Sequence, residues 1–247
     1  MAAHVLLLSN SSQPGMNYLE HAMDALQEFL DGERTIHFVP YALANYDGYT
    51  AGIAQALAPS GITIRGVHTC ASPRQAIEEA RVLFVGGGNS FRLLKTLQQN
   101  DLLDIVRRRV MDGELRFMGA SAGSNMACPS LRTTNDMPIV QPRSFEAFGL
   151  LPFQINPHFL DADPNSTHTG ETRERRIEEF LEENDVPVLG MREGCWLRRN
   201  GDTLRLDGMT GARLFTRNAD PQEYAPRADL SWLLKVKISF DQPIKGK

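Results

Sequence analysis

Gly119-Ala120-Ser121-Ala122-Gly123 sets a serine among four neighbours that are all glycine or alanine. This fits the Gly-x-Ser-x-Gly nucleophile elbow, in which the serine occupies a strained turn between a strand and a helix. Larger side chains two positions to either side would collide there. The same turn puts Ser121 near a helix N-terminus and aims the Ala122 amide at the substrate, where developing negative charge is favoured. A tight packing turn without chemistry is the alternative. Gly86-Gly87-Gly88-Asn89 closes an apolar run. Ligands of open α/β sheets bind at such carboxyl ends, so Gly88 is a candidate second oxyanion donor and Asn89 a candidate substrate contact. A phosphate loop is the weaker reading, because neither a Gly-Lys-Ser/Thr ending nor a Gly-x-Gly-x-x-Gly pattern is present.

A serine nucleophile needs a base, and the base needs an acid to hold its tautomer. Of six histidines, His4, His37 and His68 lie in or beside early strands and His21 lies on a helix, where packing or surface roles suffice. His158 follows Ile155-Asn156-Pro157 and opens a Gly/Pro/Asp loop, a usual seat for a catalytic side chain. His168 in the same loop competes with it. Asp161 and Asp163 raise a metal reading, although two His and two Asp in one polar loop more often form a solvated face. For the acid, Glu171 and Glu193 lie downstream and Asp136 upstream. Glu193 follows the apolar run Val186–Leu189, in a turn that could share the rim with Ser121 and His158. The order Ser, His, Glu differs from that of α/β hydrolases, which run Ser, acid, His. It matches the class I glutamine amidotransferase-like fold with serine in place of cysteine.

The elements needed to position these groups are legible. Val5–Leu8, Ile36–Val39, Ile62–Val67 and Val82–Val85 read as buried strands. Helical patterns fall at 16–30, Tyr49–Leu57, Pro73–Ala80, Phe91–Leu97 and Leu102–Met111. Continuous apolar strands alternating with helices imply a mostly parallel central sheet, covered by helices on both faces. Further on, 171–183 reads as a charged helix, Val186–Leu189 as a strand and 196–206 as a hairpin around Asn200-Gly201. No second self-sufficient core or repeat appears, so residues 1–247 are expected to form one domain.

Composition narrows the function. The chain has 247 residues and a net charge of −4, which gives no general attraction to nucleic acid or anionic membrane. No apolar run approaches the ~20 residues of a membrane span, and no secretory signal is recognisable. Three scattered cysteines offer neither a disulfide framework nor a metal knuckle. The chain therefore reads as cytoplasmic and soluble, with a small-molecule substrate and no cofactor or metal. Its oligomeric state is open, and a homodimer is compatible with the reading.

Several segments together resemble the peptidase E family of α-aspartyl dipeptidases. They are Leu6–Gly15 (LLLSNSSQPG), Val85–Phe91 (VGGGNSF), GASAG, Cys128–Val140 (CPSLRTTNDMPIV), Ile155–Phe159 (INPHF), Gly170–Arg173 (GETR) and Glu193-Gly194, in order over roughly residues 5–215. The resemblance implies a class I glutamine amidotransferase-like (flavodoxin-like) fold with a C-terminal β-hairpin. It also implies a Ser121–His158–Glu193 triad and oxyanion amides at Gly88 and Ala122. Arg173 is then the grip on an aspartyl carboxylate, since a guanidinium can offer two parallel hydrogen bonds, and Asp136 is a candidate for the substrate α-amine. Ala120 departs from the tryptophan that bacterial members carry before the serine. A cyanophycinase-like β-aspartyl peptidase and a non-catalytic binding protein are the rival readings. One further expectation concerns motion: the loop at 161–170 has almost no apolar anchor, so substrate binding at Arg173 is expected to order it and bring His158 to Ser121.

Overall fold

A computed structural model describes residues 2–163, 165, 167 and 170–242. Alternation along the strands dictates its layering. In β1 (His4–Leu8), Val5 and Leu7 join one apolar cluster while Leu6 and Leu8 join another. In β4 (Val82–Val85), Leu83 and Val85 point one way and Val82 and Phe84 the other. A strand buried on both faces needs helices on both. One face is covered by α1 (Met23–Leu30) and α2 (Tyr46–Leu57), through Leu26, Phe29, Ile53 and Leu57. The other is covered by α3 (Pro73–Glu79), α4 (Ser90–Gln99) and α5 (Leu103–Met111), through Ile77, Leu94, Leu97 and Val106.

With β2 (Thr35–Val39), β3 (Thr63–Gly66), β5 (Arg116–Ala120), β8 (Cys195–Asn200) and β9 (Thr203–Gly208), these strands form a seven-stranded sheet of order β3-β2-β4-β5-β1-β8-β9. The first five are parallel. The expected hairpin is β8–β9, and it adds antiparallel to β1, with Leu8 opposite Trp196. A second sheet, which the sequence did not announce, runs β11-β10-β7-β6. It comprises β6 (Gln154–Pro157), β7 (Val188–Met191), β10 (Ala212–Phe215) and β11 (Gln222–Tyr224). One face of it contributes Ile155, Leu189 and Met191 to the main core. The other places Val188 and Phe215 against Ile177 and Leu181 of α7 (Arg173–Glu183).

Several boundaries differ from expectation: α2 begins three residues earlier, at Tyr46, and α7 two residues later, at Arg173. The helix foreseen from residue 16 begins as α1 at Met23, after a short 3-10 turn at Glu20–Ala22. Leu19 is left-handed (φ 58°) with its amide on Ser11 O, and the Glu20 carboxylate takes the Asn17 amide at 2.7 Å. These local bonds compete with a helical start. The strand foreseen at Val186–Leu189 lies two residues later, at Val188–Met191, since Pro187 has no amide to donate to the ladder. Among the described residues, no helix is long and apolar enough to cross a membrane.

Candidate active site

The elbow is formed as its composition requires. Between β5 and the short helix α6 (Ala122–Asn125), Ser121 adopts φ 53°, ψ −114°. A non-glycine residue is held there only where the surroundings enforce it. Both flanking glycines are obligatory: a Cβ on Gly119 would stand 2.5 Å from Gly123 O, and one on Gly123 would run into Val85 O. The Ser121 amide donates to Leu8 O at 3.1 Å, and Ser124 Oγ donates to the same carbonyl at 2.7 Å. These bonds anchor the elbow to the end of β1.

His158 stands at the end of β6 and Glu193 two residues past β7. Parallel pairing of those strands, Pro157 opposite Met191, brings the two side chains together. His158 Nε2 lies 2.8 Å from Ser121 Oγ, and Nδ1 lies 2.6 Å from Glu193 Oε1. The network assigns the tautomer: Nδ1–H donates to the carboxylate, and Nε2 is free to accept from the serine. The His158 and Glu193 side chains are 39% and 47% exposed, so the relay opens to solvent. Chemically, it is a hydroxyl, a base and an acid in line.

The glycine loop lies against Ser121, since a Cβ on Gly87 would sit 3.2 Å from that of Ser121. Gly88 has φ +129°, and a Cβ there would be 2.8 Å from Ala42 O. Among the described residues, the Gly88 and Ala122 amides take no backbone acceptor, so both remain available for an oxyanion. Asn89 is occupied with structure: Oδ1 caps α4 by accepting from the Arg92 amide at 3.0 Å, and Nδ2 donates to Met137 O at 2.9 Å. Asp136 Oδ2 accepts from the Ser90 amide (2.7 Å) and hydroxyl (2.6 Å), at the N-terminus of α4.

Arg173 is the first residue of α7, behind the capping Thr172. Burial, then the like charge of Arg176, hold its guanidinium below its usual pKa, with Asp136 opposing. Neighbouring cations are paired, Arg175 with Glu178, Glu179 and Glu182 and Arg176 with Glu171. Among the described residues, Arg173 has no ion pair. A cleft of about 460 Å³ opens beside it, bordered by Leu160, Asp161 and Gly170.

Two features bear on the expected assembly of the site. His158 Nε2 lies within hydrogen-bond distance of Ser121 Oγ. Asp161, at the start of the polar stretch, has an anchor that apolar periodicity does not register. Arg192 grips Asp161 with two bonds of 2.7 Å and also holds Glu223 at 2.9 and 3.0 Å. These bonds keep the Asp161 carboxyl below its usual range and push the Arg192 guanidinium above its own. Asp161 is thus engaged with Arg192, and Asp163 accepts from the Asn165 amide; His168, the competing base, lies outside the described residues. Glu171, the rival acid, pairs with Arg176 at 3.6 Å. Ala120 is fully buried among Leu8, Met118 and Leu26, so the departure there alters the core behind the elbow. Besides Arg192, sequence reasoning missed Ser9 and Asn10. Their signal was two polar residues directly after an apolar strand, and both prove buried.

Comparison with known proteins completes the description. The model of peptidase family S51 matches residues 5–207. The chain is 59% identical to a Streptomyces coelicolor protein named peptidase E, over 96% of this chain and 98% of that one. It is 47% identical to a Drosophila melanogaster protein named "Probable alpha-aspartyl dipeptidase", over 95% and 98%. A solved peptidase from an acI-B1 actinobacterium has the same fold at a TM-score of 0.68 and 14% identity, covering 93% of this chain and 97% of that one.

Proposed function

The chain belongs to peptidase family S51, and from that premise we propose that it hydrolyses dipeptides with an N-terminal aspartate through Ser121, His158 and Glu193. The observation carrying this reading is the unbroken relay of 2.8 and 2.6 Å from Ser121 through His158 to Glu193. Ser121 Oγ attacks the peptide carbonyl while His158 Nε2 takes its proton. His158 then passes that proton to the departing amine, and water enters by the same route to release aspartate. Glu193 keeps Nδ1 protonated and stabilises the imidazolium. The Gly88 and Ala122 amides receive the oxyanion, a contact worth about 3 kcal/mol each in other serine proteases.

Arg173 binds the aspartyl carboxylate. Among the described residues its charge has no ion pair, and it sits at a helix N-terminus, the end that disfavours a cation, which suits a site completed by an anion. Asp136, fixed by Ser90, is the partner for the substrate's α-amine. Three free thiols, Cys70, Cys128 and Cys195, are in keeping with a cytoplasmic setting.

The test is a substrate panel of Asp-Leu, isoaspartyl-Leu, Asn-Leu and an aspartyl polymer, with Ser121→Ala alongside. Hydrolysis confined to Asp-Leu and abolished in the variant is the expected result. Preference for isoaspartyl-Leu or the polymer would replace this reading with a β-aspartyl one. Ser121→Ala retaining activity within tenfold of wild type would remove the nucleophile from it.

A further inference from the structure

Three consecutive residues at the end of β1 each hold one member of the relay. The Leu8 carbonyl accepts from the Ser121 amide at 3.1 Å. Ser9 Oγ accepts from the His158 amide at 2.9 Å and donates to Met191 O at 2.8 Å, two residues before Glu193. Asn10 Oδ1 accepts from the amide of Gly194, directly after Glu193, at 2.8 Å. Ser9 is fully buried and Asn10 is 3% exposed. A further bond, from the Ser9 amide to Cys195 O at 3.1 Å, fixes the segment itself.

From this we infer that Ser9 and Asn10 are positioning residues for the hydrolysis, setting the His158–Glu193 pair against Ser121. The inference rests on the triad reading above. Its physical basis is that the nucleophile and the pair belong to different sheets. Ser121 follows β5, the neighbour of β1, while His158 and Glu193 follow β6 and β7. Side-chain packing between sheets holds distances only loosely, whereas hydrogen bonds to backbone amides define them. His158 also has φ +53°, a conformation that a residue with a side chain keeps only when neighbours over-determine it. The Ser9 bond to its amide supplies that constraint, and the Phe159 amide on Met191 O (3.0 Å) is the second. Displacing a base by 1 Å can cost a hundredfold in rate.

The test compares Ser9→Ala, Asn10→Ala and Ser121→Ala by kcat and KM on Asp-Leu and by the rate of labelling with a small fluorophosphonate. Labelling reads the reactivity of Ser121 without aspartate recognition. Ser9→Ala adds no volume, and all rates are taken well below each variant's Tm. The expected result is a loss of at least tenfold in kcat and in labelling rate for each positioning variant. KM should stay within threefold, and Ser9→Thr, which keeps the hydroxyl, should recover part of the loss. Wild-type kcat in both folded variants would overturn the inference while leaving the triad standing. A rise in KM matching or exceeding the fall in kcat would also overturn it, as would equal loss in Ser9→Thr and Ser9→Ala. An active Ser121→Ala would instead sink the triad reading, and the positioning role with it.

Discussion

Replacing Arg173 with methionine removes the charge, keeps most of the stem and tests what selects aspartate. The structure sets the size of the effect. Arg173 is half-buried, so its bond to a carboxylate falls between an exposed pair, worth under about 1 kcal/mol, and a fully desolvated one, at about 2–5 kcal/mol. Two parallel hydrogen bonds in a partly dry cleft place it near 2–3 kcal/mol, or roughly 30- to 150-fold in kcat/KM for Asp-Leu. The loss should fall on KM, with kcat within about threefold. Arg173 would touch the aspartyl side chain and not the reacting carbonyl, so its contact is the same in ground and transition states. Asn-Leu, which never makes the ion pair, should remain as poor a substrate for the variant as for the wild type. Stability should not fall, because a cation at the first position of α7 opposes the helix dipole. Steady-state kinetics on the two dipeptides, with thermal melts, provide the readout. Equal falls in kcat and kcat/KM would refute the reasoning and favour a substrate-driven assembly of the site.

Other perturbations follow from the same geometry. Glu193→Gln should lower kcat by about a thousandfold or more, since the amide no longer accepts from Nδ1–H. Asp136→Asn keeps an acceptor for Ser90 and should cost less than about tenfold, as paired kcat measurements would reveal. Gly123→Ala pushes a methyl into the Val85 carbonyl, an overpacking that neither strand nor elbow can relieve, so about 3 kcal/mol and a Tm drop of roughly 6–12 °C are expected by calorimetry. Burial holds His21 below the ordinary imidazole value of about 6.5, and among the described residues neither ring nitrogen has a hydrogen-bond partner. The unfolded chain therefore takes the proton first, and this contribution is complete above pH 6.5 and lost as pH falls through the folded value. His21→Phe should flatten the decline in Tm between pH 7.5 and 5, and an unchanged slope would contradict it.

Local pattern carried a large part of this structure. Val82–Val85 is apolar at every position and is the strand β4 to the residue, because burial on both faces leaves no polar position to blur the ends. The elbow was readable because its steric demand is written in five adjacent residues. Glu193 was harder, being one of three acids until pairing of β6 with β7 placed it at His158. Less was visible where partners are distant in sequence. Ala212–Phe215 and Gln222–Tyr224 are too short to show a period, so the second sheet went unseen. The Arg192–Asp161 clamp spans 31 residues and the Ser9–His158 bond 149, so neither pairing is legible locally, even though Ser9 stands out as a polar residue after an apolar strand. The expectation for the loop at 161–170 counted apolar anchors, whereas Asp161 at its start is held by a guanidinium.

The antiparallel seating of β8 on β1 bears on how the protein is made. A chain emerging from the ribosome delivers the five parallel strands and Ser121 first, with β1 left as an open edge, a template for unwanted pairing. Until His158 and then Glu193 follow, Ser121 lacks its proposed base and acid, and the nascent half is chemically inert. His4 to Leu8 then zips onto Asn200 to Trp196, and Glu193, only two residues before the start of β8, is delivered beside it. One late pairing event therefore seals the vulnerable edge just after Glu193 is delivered. A ribosome-stalled fragment ending before β6 leaves that edge open and lacks His158 and Glu193, so it should be the aggregation-prone form of this chain, and it would digest nothing.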